Sequence, residues 1–397
     1  MTEILVIILT ALIGVAILTR ETFPLVLAYL FAGSYLIGRW WPRHSLANIQ
    51  IQRRFVDHVF LGENVPVDIK LANQSLLPAI WLNIRDLHPI DLAERKSFRE
   101  VVSLASHQKL TLAYELKASR RGYYPIGPMS MESGDIFGWI DTTIHEVGPD
   151  YLTVYPRVIP LQSIDLPSHS PLGTLRHRQP IFEDPTRPVG KRDYMRGDAL
   201  KRVDWKASAS AGRLQVKIFE PSIDLQVAIL LNLNTTGYHA RARFDGPELG
   251  IVAAASLANW VISRRQSVGL FTNGVDPLSS TQIAQPLPSR KGQAHLMRLL
   301  ESLARVKSIT DPASQLRDTI RRYQQDIGWG TTLIVITGSA DQELVAELLL
   351  ARRAGLKPVL VVCGWYVDVS VPVRDGKTFG IPIKILHSED DLRGWKI

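Results

Sequence analysis

The 397-residue chain has a single cysteine, Cys363. That scarcity excludes a disulfide framework and any metal site built from several cysteines of one chain, and it fits a reducing compartment. The phosphate-cradling G-x-x-x-x-G-K-S/T loop, the dinucleotide G-x-G-x-x-G turn, the H-E-x-x-H zinc helix and the G-x-S-x-G nucleophile elbow are all absent, so the specific catalytic signatures are missing. Histidine is sparse and scattered. Only His169 and His177, with Asp184 nearby in sequence, suggest an acid/base set, and lone histidines in a linker are ordinarily solvated. No internal repeat is apparent.

Charge is missing from the start of the chain. The stretches Ile4–Thr19 and Thr22–Gly38 contain no Asp, Glu, Lys or Arg, and each approaches the roughly 17–25 residues that cross a bilayer. Only Arg20 and Glu21 separate them, which predicts a tight hairpin of two transmembrane helices over residues 1–41, with Trp40 and Trp41 at the near interface. A cleaved signal peptide would carry a basic leader and one short apolar core, whereas here Glu3 comes first and a second apolar run follows. Arg39, Arg43, Arg53 and Arg54 follow the second run, so the positive-inside rule places the remaining body in the cytoplasm.

At 46% hydrophobic and 21% charged residues, the rest can bury cores, and the length calls for more than one domain. From Ser45 to about Arg157, short alternating stretches such as Val65–Leu71 and Lys109–Leu116 are punctuated by Gly, Asn and Pro. This pattern predicts a β-sandwich of immunoglobulin or fibronectin size. Residues 158–220 form a connector. After it, apolar strands at 225–233, 268–272, 332–337, 357–363 and 381–386 alternate with helical stretches at 247–265, 292–305, 312–325 and 341–354. Such alternation predicts a doubly wound α/β domain over 221–397.

The chain's net charge of +8 is concentrated in the connector. Between Arg187 and Lys217 nine Lys or Arg face only Asp193, Asp198 and Asp204. Read by spacing, Asp198 is expected to N-cap a helix that ends at Gly212, with Leu200 and Trp205 on its inner face and Lys201, Arg202 and Lys206 projecting elsewhere. A solvated basic helix anchored by one tryptophan is the plain alternative.

This segment resembles the signature of the bacterial domain-of-unknown-function 58 family. Arg192, Tyr194, Gly197, Asp198, Val203, Trp205, Lys206, Ala207, Ser208 and Ala209 match its pattern, while Lys201 and Ser210 stand where that pattern has arginine. Lysine keeps only a point charge in place of a bidentate fork, and serine keeps none. Further landmarks are Arg121–Pro128, Asp135–Gly138 and Val154–Pro156. The resemblance implies a von Willebrand factor A-like α/β domain behind a β-sandwich and a membrane hairpin. It also implies a partnership with MoxR-type AAA+ ATPases.

A domain of that kind would hold Mg²⁺ with Asp-x-Ser-x-Ser after its first strand. Here Asn232, Asn234 and Thr236 occupy those places, and no acidic ligand follows Ile336–Ser339. Asparagine brings no negative charge to an ion that releases its water reluctantly, so no metal and no other cofactor is expected. The leading expectation is a non-enzymatic, membrane-tethered adaptor that docks a protein through Arg192, Tyr194, Gly197, Asp198, Lys201, Arg202, Trp205 and Lys206. A binder of nucleic acid or lipid headgroups comes second, weakened by the scarcity of aromatics among the charges. An uncatalogued hydrolase comes last.

Overall fold

Alternation of buried and exposed positions organises the first half of the chain. The computed structural model describes residues 2–133, 143–161, 182–222, 226–279, 283–312, 314–365 and 380–395. The chain divides into two compact units, residues 1–157 with 303–305, and residues 158–302 with 306–397.

The first unit opens with helices α1 (Thr2–Thr19) and α2 (Phe23–Ala47). Among the described residues α2 alone is long and apolar enough to cross a membrane, and the apolar stretch Val6–Thr19 is shorter. Pro24 lies at the start of α2, where its fixed φ costs no hydrogen bond. The helix runs past the uncharged stretch to Ala47, and Trp41 Nε1 donates to the Pro78 carbonyl at 2.9 Å, so this indole is tied to the β region.

Ten strands follow: β1 (Ile49–Arg54), β2 (His58–Phe60), β3 (Asn64–Asn73), β4 (Ala79–Leu87), β5 (Ser97–Leu104), β6 (Lys109–Lys117), β7 (Gly122–Ile126), β8 (Met129–Ser133), β9 (Thr143–Val147) and β10 (Asp150–Tyr155). They pair in the orders β1-β3-β6, β2-β10-β7 and β5-β4-β8-β9. Strand β3 shows the logic of the region. Its inward residues alternate along the strand, with Ile69 and Leu71 joining a cluster with Leu82, Ile84 and Met131, and Val65 and Val67 joining another with Leu116, Ile126 and Val154.

One buried charge network links the three sheets. The Arg53 side chain, 1% exposed, donates to both carboxylate oxygens of Asp86 at 2.9 and 2.7 Å and to Asp150 at 2.6 Å. Tyr114 adds a hydroxyl bond to Asp86 at 2.8 Å. Burial opposes the Arg53 charge, but the bonds and charges of Asp86 and Asp150 outweigh it and raise its pKa. Burial, then the Asp86 carboxylate, push the Tyr114 phenol up. Arg53 was counted among the basic residues that follow the second apolar run. Its side chain is buried with Asp86 and reaches out to Asp150, which is 54% exposed, so it also serves as a structural cation.

The second unit begins with a two-stranded antiparallel ribbon, β11 (Phe182–Asp193) and β12 (Gln215–Ser222), joined through helix α3 (Trp205–Ala211). Within the connector a helix was expected before Gly212 but the strand β11, which begins at Phe182, was not. Next come β13 (Gln226–Leu231), α4 (Asp245–Ser263), β14 (Ser267–Thr272), β15 (Leu287–Arg290), α5 (Gln293–Arg305), α6 (Leu316–Gln324), β16 (Thr332–Thr337), α7 (Gln342–Arg353), β17 (Lys357–Cys363) and β18 (Ile383–Leu386). Their sheet has the order β15-β14-β13-β16-β17-β18, parallel except for β15. In chain order this is 3-2-1-4-5-6, a doubly wound sheet whose switch point lies between β13 and β16. Strands β14 and β16 are buried throughout, as a sheet covered on both faces requires. Nearly every residue of α4 from Gly246 to Ile262 is buried against it.

Replacing Arg53 with Ala should cost the β unit about 3–5 kcal/mol, because Asp86 would remain as an uncompensated buried charge. Urea unfolding followed by the signal of the β strands measures this, and a loss below about 1 kcal/mol would show that water or rearrangement satisfies the carboxylate.

Candidate functional site

The signature segment is a rigid loop on the β11–β12 ribbon. Arg192 lies at the end of β11, where its guanidinium grips both oxygens of Asp198 at 2.7 Å each. Asp198 also accepts the Met195 amide at 2.9 Å. Gly197, at φ 109°, makes the reversal that this closure needs. Asp198 therefore does not cap the expected helix. Leu200–Arg202 is a single 3-10 turn, and Asp204 is the N-cap of α3, accepting the Ala207 amide at 3.1 Å. Gly212 ends α3 in the left-handed conformation at φ 65°.

Three further bonds lock the loop to the ribbon. The Asp204 amide donates to the Gln215 carbonyl and the Ser208 hydroxyl to the Asp204 carbonyl, while the Gln215 amide donates to Ser208 Oγ, each at 2.8 Å. Tyr194 is held through its amide to the Leu214 carbonyl at 2.9 Å. Val203 and Val216 are the buried apolar residues beneath.

Leu200 and Trp205 were expected on an inner face. They are 62% and 66% exposed, and Met195 is 67% exposed. A seven-residue helix is too short to present a full apolar stripe to a core, and Val203 and Val216 already fill the space under it. The apolar side chains therefore face solvent together with Arg196, Lys201, Arg202 and Lys206, which are also exposed.

The second feature is the crevice at the switch point of the sheet. It has a volume of about 370 Å³, and its lining includes Asn232, Asn234, Thr236, Arg317, Ser339 and Glu343. Its floor is a neutral hydrogen-bond network. Asn232, 3% exposed, accepts at Oδ1 from the Asn234 amide at 3.0 Å and from Asn273 Nδ2 at 2.8 Å, and its own Nδ2 donates to Thr337 Oγ1 at 3.0 Å. Asn234, 2% exposed, accepts at Oδ1 from the Thr236 and Asp311 amides at 3.2 and 3.3 Å. Its Nδ2 donates to the carbonyls of Asp311 and Ser314. Tyr238 closes the knot by donating its hydroxyl to the Asn232 carbonyl at 2.7 Å, with its phenol pushed up by burial. Gly338 is required beside it, since a Cβ there would lie 2.0 Å from the Tyr238 ring.

These residues do not fit a divalent ion. Each asparagine oxygen has two lone pairs, and both are taken by N–H donors. Mg²⁺ binds through hard, usually charged oxygens and gives up water reluctantly. Asp341, the nearest acid after β16, is committed to capping α7 by accepting the Leu344 amide at 2.7 Å. At the rim Arg317 pairs with Glu343. Among the described residues no group of three or more His, Cys, Asp or Glu could hold a metal. His169, His177, the side chain of Asp184 and the Asp135–Gly138 landmark lie outside the described residues.

Sequence reasoning missed Met195 as an exposed apolar residue, and Asn273 and Tyr238 as parts of the knot. A local signal existed for Asp204, which stands three residues before the Ala207 amide that it caps.

Fold and site together define a multi-domain mixed α/β protein with a doubly wound C-terminal unit and a solvent-facing, basic and apolar signature loop. The model of the family described as "Protein of unknown function DUF58" matches residues 190–348, a span that takes in both the signature and the crevice. "Uncharacterized protein YeaD" of Bacillus subtilis (strain 168) is 23% identical over 356 residues, covering 82% of this chain and 85% of that protein. Among solved structures, "von Willebrand factor type A from Catenulispora acidiphila" is similar at TM-score 0.31 and 11% identity, covering 45% of this chain and 42% of that one. A native alpha-2-macroglobulin structure from Escherichia coli is similar at TM-score 0.25 and 15% identity, covering 28% of this chain and 17% of that one. The chain thus spans less than half the length of each of these two structures.

Two measurements test the site. With every acceptor of the knot occupied, millimolar Mg²⁺ should leave the melting temperature unchanged, since only a ligand of the native state raises it. A saturable isotherm abolished by Asn232→Ala would overturn the assignment. The second measurement concerns pH. The bonds from Arg192 and the Met195 amide hold Asp198 below the usual carboxylate range, and those from Lys191 and the Ala207 amide do the same for Asp204. Both pKa values are depressed on folding, so the stabilisation is present above about pH 4 and is lost as pH falls through the lower folded-state values. Hydrogen-exchange protection of the Met195 and Ala207 amides should follow that course. Protection unchanged down to full protonation would show that the carboxylates do not hold the loop.

Proposed function

We propose that this chain is a member of the domain-of-unknown-function 58 family and acts as a non-enzymatic, membrane-tethered adaptor. In this reading α1 and α2 cross the bacterial cytoplasmic membrane as a hairpin, and the body lies in the cytoplasm. The β region is an immunoglobulin-like sandwich, and the second unit is a von Willebrand factor A-like domain that docks a protein partner of the MoxR-type AAA+ ATPase class.

The observation that carries the proposal is the exposure of Trp205 on a loop held by hydrogen bonds and capped at both ends of α3. Tryptophan and arginine are enriched in interaction hot spots, and a preorganised support lowers the ordering cost of binding. The switch-point crevice supports a binding role over a catalytic one. Its asparagines are engaged in structural bonds, and Arg317 in its lining is paired.

Two tests belong together. A reporter fused after Ile397 should read cytoplasmic, and an exported phosphatase active at that position would reverse the topology. Affinity capture of the full chain in detergent should bring down an AAA+ ATPase. If membrane proteins with no ATPase are recovered instead, the partner class is wrong.

A further inference from the structure

The acids of the signature segment are all spent internally. Asp193 pairs with Arg213 at 3.1 Å and accepts from Gln215, Asp198 pairs with Arg192 at 2.7 Å, and Asp204 pairs with Lys191 at 3.0 Å. Three bases are neutralised in this way. Of the other six, Arg196, Lys201 and Lys206 are exposed, with no side-chain ion pair or hydrogen bond among the described residues. They lie in the same short loop as Met195, Leu200 and Trp205, large apolar side chains that are each more than 60% exposed.

We infer that this loop is one docking surface for an acidic protein segment, with Met195, Leu200 and Trp205 as its apolar anchors and Arg196, Lys201 and Lys206 as its cationic rim. The inference rests on the reading of the second unit as a docking domain, and it adds the division of the surface into anchors and rim and the partner's chemistry. Charge complementarity selects an anionic occupant. The apolar trio selects among anions. A phosphate backbone gains nothing from Met195 or Leu200, and a strand of bases would need a series of stacking rings where the loop offers Trp205 and the half-buried Tyr194. A peptide that carries carboxylates beside aliphatic side chains uses both parts of the surface. The internal pairs also preorganise it, because Asp198 and Asp204 fix the backbone on either side of Lys201 and Arg202 before a partner arrives.

The test uses the full chain in detergent and three labelled probes: a peptide of alternating glutamate and leucine, an oligothymidylate, and vesicles of phosphatidylglycerol. The peptide should bind, and added salt should weaken it. Trp205→Ala should weaken it roughly tenfold or more at every salt concentration, as removal of a hot-spot side chain does. The combined Arg196→Ala, Lys201→Ala and Lys206→Ala variant should lose affinity at low salt and converge on wild type at high salt. Both variants should melt where wild type melts, since none of these four side chains is buried.

Failure of the peptide to bind, tighter binding of the oligonucleotide or the vesicles, or peptide binding indifferent to Trp205→Ala would each overturn the inference. The adaptor reading is separable from it. An ATPase captured equally by wild type and by both variants places docking elsewhere and leaves the adaptor standing. Peptide binding as described, with no ATPase captured, leaves the surface standing and removes that partner.

Discussion

The second unit depends on how the chain satisfies polar groups at the carboxyl end of β13. That strand carries five consecutive buried residues and then must leave the sheet at its switch point, where backbone amides are stranded among apolar neighbours. Asn232 and Asn234 solve the problem by each acting as acceptor and donor at once. Through them β13 is bonded to the Thr337 end of β16, to Asn273 beyond β14 and to the segment around Asp311. A carboxylate at position 234 could not donate to the Asp311 and Ser314 carbonyls, so those two acceptors would lose their partner. The neutral amides do the linking directly.

The β unit meets the same requirement with charge. Arg53 is buried, and it is stable there because its guanidinium geometry meets Asp86 in a fork and reaches Asp150 with its remaining edge. Here the ionised pair Arg53 and Asp86 is enclosed, and at β13 neutral partners are. Neither arrangement leaves a coordination position or an unpaired charge for a ligand. The signature loop differs in this respect, since its pairing is complete for the acids and incomplete for the bases.

Much of the α/β architecture was legible in the sequence because parallel strands covered on both faces read as unbroken apolar runs, and β16 and β17 fall on residues 332–337 and 357–363 as expected. The edge strand β15 was not legible. Four residues long, with half-buried and exposed positions alternating, it carries no such run. The ribbon strand β11 was hidden for a related reason. A two-stranded element has little apolar surface to bury, and Pro185 and Pro188 break its pattern. The neutral character of the crevice floor was legible from residue chemistry alone, because Asn232 and Asn234 carry no charge. The knot itself was not, since Asn273, Asp311 and Thr337 lie far away in sequence.

The misplaced helix shows where local reasoning gives out. Asp198 and Asp204 are both good capping residues, each followed by residues that tolerate a helix, and spacing alone does not choose between them. The choice is made by Arg192, six residues before Asp198. Its fork takes both oxygens of Asp198, and a further bond from the Met195 amide behind it holds the carboxylate there. With Asp198 drawn back toward β11, the helix starts at Asp204 and has only seven residues before Gly212 stops it. Leu200 is then left outside the helix, and Trp205 becomes its first residue, at the end turned to solvent. A single ion pair thus decides that the signature's large apolar side chains are offered outward, and the exposed surface is a consequence of the fold of the loop itself.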